Sequence, residues 1–178
     1  LSLAYIFLMA AQVGGVAHQY GLVREQLSEA ETAIAVAILP VFSIIGRLFG
    51  GWVVGQISIR KFAIEMMFLQ ALSLSLLSIG FSALTLCMGL AIFGASVGNL
   101  LMLQPLLIAE AFGVRDYAKI FSLSNLMSSW GTAMGPAVLG IVYAANTNLY
   151  QRPYAVAAMS GALGLSLFLD GGNIIKQN

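Results

Sequence analysis

Six apolar runs divide this chain, and each is close to the length needed to cross a membrane. They cover roughly residues 1–19, 32–57, 62–81, 84–109, 120–145 and 154–169. A crossing helix takes about 20 mostly apolar residues, because the hydrocarbon core is about 30 Å thick. Lipid offers the backbone no hydrogen-bond partners, so runs of this length are expected to be helices that satisfy their own peptide groups. Charged residues make up only 8% of the chain and hydrophobic ones 60%, whereas a soluble domain is about 25% charged. The expected fold is therefore an all-α membrane protein with six transmembrane helices.

The connections between runs orient it. Ser28 followed by Glu31 forms a capping-box pattern that opens the second span. A short basic turn, 58–61, follows that span, a turn near Ser82 opens the fourth, and a charged stretch, 110–119, precedes the fifth. Arg60, Lys61, Arg115, Lys119 and Lys176 fall on one side, and only Arg24 and Arg152 on the other. Excess Lys and Arg marks the cytoplasmic side, so both termini are expected there, most simply in a plasma (inner) membrane. The chain starts inside an apolar run, with neither the basic start nor the cleavage site of a signal peptide. It reads as part of a longer chain or as a split-off half.

The sequence also repeats. An offset of 85 residues brings Gly46 onto Gly131, Gly50 onto Gly135 and Gly55 onto Gly140, with Ser43 on Ser128 and Gln19 on Gln104. Spans 1–3 would then correspond to spans 4–6, with repeat A at about 1–81, repeat B at about 82–170 and a short tail at 171–178. Units with an odd number of spans insert with opposite topology, giving two inverted three-helix repeats. That arrangement is characteristic of secondary transporters, whose substrates bind near mid-membrane.

Arg47 interrupts the second apolar run, ten residues before Ile57. At 1.5 Å per residue this places it about 15 Å from the inner end, half the bilayer core. Such a cation is costly in lipid and usually faces protein, water or a ligand. Ser43, Gly50, Gly51 and Val54 share its face at helical spacing. Two roles are open: a fork-shaped donor gripping a carboxylate, or a packing residue bonded to oxygens of other spans. Asn125, Ser128, Ser129 and Thr132 form a polar stripe on span 5, Tyr5, Gln12 and Gln19 recur every seven residues on span 1, and span 4 carries Asn99 and Gln104. Each stripe could line a cavity or join helices by hydrogen bonds. His18 sits at the outer end.

One cysteine, Cys87, allows no internal disulfide or cysteine-based metal cluster. No metal-ligand cluster, nucleotide loop or paired acids within the spans are present. An enzyme, a cofactor and a nucleic-acid partner are therefore not expected.

The segment GRLFGGWVVGQISIRK resembles the loop motif after the second span in the C-terminal half of major facilitator superfamily transporters. Gly46, Arg47, Gly51 and Arg60 match; Gly55 and Ser58 replace the motif's aspartate and loop glycine, and Lys61 completes the basic end. The resemblance implies an inner-gate role for Gly46, Gly51, Gly55, Arg60 and Lys61. Ala109-Glu110-x-Phe112-Gly113 and Gly131-x3-Gly135-Pro136-x3-Gly140 are similar to the oxalate/formate antiporter and monocarboxylate transporter branch. There, an arginine at the position of Arg47 contacts the substrate carboxylate. Oxalate-type members add a lysine in span 5, but this chain has no cation between residues 120 and 145, which argues against a dicarboxylate and leaves a monocarboxylate or an unrelated substrate.

The resemblance thus implies a C-terminal six-helix domain, 1–178, that pairs with an N-terminal half. Together they would move a small organic anion by symport or antiport. The expected substrate contacts are Arg47, Ser43, Gln12, Tyr5, Asn125, Ser128, Ser129 and Asn99. The rivals are a transporter of neutral or amphipathic solutes and a structural membrane protein.

Overall fold

The computed structural model describes residues 1–80, 82–145 and 149–171. Phe81, residues 146–148 of the expected fifth connection, and the expected tail beyond Gly171 lie outside the described residues. Six helices follow in order: α1 Ser2–Arg24, α2 Glu29–Val54, α3 Ile59–Ile79, α4 Ala83–Gly113, α5 114–145 and α6 Gln151–Gly171. Helices α1, α2, α3, α4 and α6 are long and apolar enough to cross a membrane, as in an integral membrane protein. Helix α5 has the length but a more polar sequence, because Asn125, Ser128, Ser129 and Thr132 dilute its apolar residues.

Boundaries differ from the sequence expectation by a few residues at several helix ends, and three of the differences bear on the fold. Helix α1 continues through residues 20–24, so the first connection shrinks to 25–28. Its closing feature is the one expected: the Glu31 carboxylate accepts from the Ser28 backbone N–H at 3.0 Å and from Ser28 Oγ at 2.6 Å. Helix α2 stops at Val54 rather than Ile57, with Gly55 N–H turned back to Trp52 O at 3.3 Å. The expected charged loop at 110–119 is helical apart from Gly113, because Glu, Ala, Arg and Lys all favour helix.

Gly113 is the single non-helical residue between Ala83 and Ala145, at φ 69° and ψ 179°. The helix runs through Pro105 and Pro136 with no further break in its dihedrals. That φ/ψ combination is essentially confined to glycine and costs other residues about 1–3 kcal/mol. A Cβ there would meet nothing within 4 Å, so strain acts alone. Gly113→Ala should lower stability by about 1–3 kcal/mol, read as the thermal midpoint in detergent. An unchanged midpoint would mean that the break is not held in the folded protein.

Helices α1 and α4 form the centre. Leu86, Leu90, Phe93, Val97, Leu100, Leu103 and Leu107 of α4 are buried, as are Ala4, Tyr5, Leu8, Met9 and Ala11 of α1. Glycines let the backbones approach. A Cβ at Gly46 of α2 would lie 2.8 Å from the Ala95 backbone of α4, and one at Gly14 of α1 would lie 3.1 Å from the Gly135 carbonyl of α5. On the outer faces, α2 leaves Ile44, Leu48, Phe49 and Trp52 exposed, and α5 leaves Leu126, Trp130, Met134 and Ile141 exposed.

At one end of the bundle, side chains tie α1 to the last two helices. The Tyr150 ring lies over Gly21, in space that a Cβ would occupy. It stacks on Tyr143 at 4.3 Å between centroids and tilts against His18 at 5.7 Å. The Tyr150 N–H donates to Glu25 Oε2 at 3.3 Å, and His18 Nε2 sits 3.0 Å from Pro136 O. Burial pushes the Glu25 carboxyl up from its ordinary range, partly offset by the Tyr150 N–H.

Candidate functional site

The densest polar arrangement around Arg47 lies where α2 crosses α4. Gly46 and Gly50 on α2 face Ala95 and Asn99 on α4, while Gly94 and Gly98 of α4 face the backbone of Leu39 and Ser43. With glycines on both helices, the backbones come close enough for side chains to reach across to carbonyls. Arg47 Nε donates to Gly98 O at 3.1 Å. Asn99 Nδ2 donates to Gly46 O at 3.0 Å and, within α4, to Ala95 O at 2.9 Å. A Cβ on residue 98 would lie 3.0 Å from both Arg47 Cγ and Ser43 Oγ, so the arginine stem rests on the glycine surface.

Arg47 remains exposed. Its Nε is committed to Gly98 O, so the terminal nitrogens supply the remaining fork for a carboxylate, approached end-on. Because α2 ends at Val54, Arg47 stands seven residues from its C-terminal end, about 10 Å rather than 15 Å. The depth inferred from sequence is therefore too large, since it rested on α2 reaching Ile57. A carbonyl bond of this kind is also what a packing arginine would make.

The other expected contacts divide. Ser43 is half-buried beside Arg47. Asn99 is only 3% exposed, so its amide joins helices instead of facing open space. Tyr5 is fully buried and its hydroxyl donates to Leu100 O at 3.4 Å, one residue beyond Asn99. Gln12 is buried at 3% exposure and its Oε1 has no hydrogen-bond partner among the described residues.

Asn125 and Ser129 are exposed on α5, whereas Ser128 is buried. Ser128 belongs to a second polar cluster: Gln104 Nε2 of α4 donates to Ser124 Oγ at 3.2 Å and Ser128 Oγ at 3.3 Å, and Ser2 Oγ donates to Ser124 Oγ at 3.1 Å. The span 5 stripe is thus split, with Ser128 facing α4 and its neighbours facing outward.

In the expected gate motif, Gly46 packs on α4, Gly51 has open space at its Cβ position and Gly55 caps α2. Arg60 is half-buried in the first turn of α3, and Lys61 is exposed there, its N–H 3.4 Å from the Ser58 hydroxyl that caps the helix.

Sequence reasoning gave no role to Gly98, which accepts from Arg47, or to Ser124. The Gly94/Gly98 pair, spaced like Gly46/Gly50, was the available signal for this crossing. An open groove of about 390 Å³ lies elsewhere, between α1, α5 and α6. Its walls include Ile6, Ala10, Met134, Val138 and Leu163, and none of the expected contacts line it. Among the described residues no three His, Cys, Asp or Glu side chains gather as a metal site.

The fold and these sites define an all-α, six-helix protein with five candidate membrane spans. No family model matches the chain, and no curated protein matches it.

Proposed function

We propose that this chain is the C-terminal six-helix half of a secondary transporter of the major facilitator type, moving a small organic anion by alternating access. A monocarboxylate is the substrate class favoured by the lack of any lysine or arginine between residues 120 and 145. The observation that carries the reading is Arg47: an exposed guanidinium in an apolar helix, with Nε held by a carbonyl and its terminal fork left for an anion. Ser43 adds a hydroxyl beside it. Coupling would be to a proton or a counter-anion.

Paired helix crossings support the inverted repeat within this proposal. Gly46 meets Ala95, and Gly131 meets Ala10; Gly50 meets Asn99, and Gly14 meets Gly135. Each contact becomes the other under the 85-residue offset, with the first and second helices of the two repeats exchanging roles. The exposed apolar faces of α2 and α5 suit a second six-helix half.

Counterflow in proteoliposomes, with the chain alone and co-expressed with a preceding six-helix half, tests the proposal against monocarboxylates, dicarboxylates and neutral solutes. Exchange confined to monocarboxylates supports it. Exchange of neutral solutes alone points to the drug or sugar type, and no exchange in any assembly points to a structural protein. The Arg47–Gly98 bond is the observation that favours this last reading.

Orientation has its own check. A cysteine at Glu29 should react with an impermeant thiol reagent from outside the cell, and one at Arg115 only from inside. The opposite pattern would reverse the topology.

A further inference from the structure

The crossing of α2 and α4 is held by two bonds that run in opposite senses between adjacent residues. Arg47 reaches from α2 to the carbonyl of Gly98, while Asn99, next along α4, reaches back to the carbonyl of Gly46, the residue before Arg47. The dipeptide Gly46–Arg47 is thereby clasped to the dipeptide Gly98–Asn99. Asn99 has a second anchor on its own helix at Ala95 O, which fixes the amide plane and prevents free rotation. Its Oδ1 occupies the space that a Cβ on residue 50 would need and has no hydrogen-bond partner among the described residues. The amide therefore fits in this slot only because residue 50 is glycine.

We propose that Asn99 is a positioning residue for Arg47, fixing the α2 backbone at Gly46 so that Nε stays on Gly98 O and the terminal nitrogens keep one direction. Asn99 would therefore act through the arginine and not as a ligand. This rests on reading Arg47 as the anion-binding group. A buried amide that spends its donors on one carbonyl of each helix holds both against sliding. Sliding by one residue would carry Gly98 O away from Nε and turn the guanidinium off its axis, since successive helix residues rotate by about 100°. Preorganisation of this kind lowers the ordering cost of binding.

The test uses the 178-residue chain in lipid nanodiscs, with nitrogen-15 arginine and the Arg47 Nε–H signal assigned by its loss in Arg47→Lys. Hydrogen exchange at that Nε–H is measured in wild type, Asn99→Ala and Gly50→Ala. The second variant evicts the amide without altering residue 99, so the proposal remains testable if one variant fails to fold. Exchange should quicken about tenfold in both, the loss expected when a hydrogen bond is no longer held, while the signals of Arg24 and Arg115 keep their rates.

Thermal midpoints measured alongside separate this from general loosening, which would speed exchange at all arginines together. Arg47 exchange within about twofold of wild type in a folded variant would overturn the proposal, and so would a uniform rise. Titration with sodium acetate addresses the underlying reading separately. If wild-type Arg47 signals do not respond to acetate but the variants still quicken exchange, the clasp stands and the monocarboxylate reading falls. An acetate response with unchanged exchange in the variants leaves anion binding by Arg47 standing and removes the clasp.

Discussion

Arg47→Ala should remove anion uptake while the protein remains folded and inserted. A guanidinium fork contributes two charge-assisted hydrogen bonds, each worth about 1.5–3 kcal/mol, so their loss lowers affinity by about a hundredfold or more. Arg47→Lys keeps the charge but places it at a point and loses the planar fork. Its affinity should fall by about tenfold, with protein level and maximal rate preserved. Substrate should also protect a cysteine at Ser43 from labelling in the wild-type background and fail to do so with Arg47→Ala, because Ser43 lies beside the same glycine surface.

The packing alternative predicts a different order of losses. The Nε bond to Gly98 O would then be the residue's main contribution, and its removal would lower folding yield first, with transport per folded molecule unchanged. Wild-type-like uptake by folded Arg47→Ala would remove the binding role and the main reason for an anionic substrate.

Gly131→Val should separate α1 from α5 and cost more stability than Gly113→Ala. A Cβ at residue 131 would press on the Ile6 carbonyl and lie 3.1 Å from Ala10 N. Both are backbone atoms of a central helix, so neither can swing aside as a side-chain tip would. Overpacking of this kind costs about 1–3 kcal/mol, and more where the obstacle is rigid. The control is Gly51→Val on the exposed face of α2, where a Cβ meets nothing within 4 Å and the change should stay within about 0.5 kcal/mol. Thermal unfolding in detergent, followed by helical signal, checks both. Equal midpoints for the two variants would mean that the glycine crossing does not hold these helices together.

Helix number was readable because hydrophobic length is a coarse and redundant signal, spread over about twenty consecutive side chains in each span. The capping box at Ser28 was readable because it is local chemistry, confined to a few residues. Boundaries set by single residues were harder. The end of α2 at Val54 depends on Gly55 turning its N–H back, and Ile57 looked equally apolar. The helix through 115–119 was hidden because charged residues suggest a loop, although arginine and lysine also favour helix.

The candidate site was legible only in part. Arg47 stood out as a cation in an apolar run, and Asn99 as an amide. That Asn99 is turned inward against Gly46, while Ser129 and Asn125 face outward, depends on how α4 packs between its neighbours, and polar spacing along one helix does not contain that information. The split of Ser128 from Ser129 illustrates the limit: adjacent residues on one helix differ by about 100°, enough to send one to Gln104 and leave the other exposed.

The knot of His18, Glu25, Tyr143 and Tyr150 makes the bundle mechanically unequal at its two ends. Rings and hydrogen bonds fasten α1 to the last two helices there, while further along α1 and α5 touch through the bare backbone of Gly131 and Gly135. A joint with several directional fastenings at one end, bare backbone along its length and a hydroxyl bond at the other resists sliding most at the first. Relative motion of α1 and α5 about that end would have to break the Ser2–Ser124 hydrogen bond at the other, so that hydroxyl contact is the first to yield.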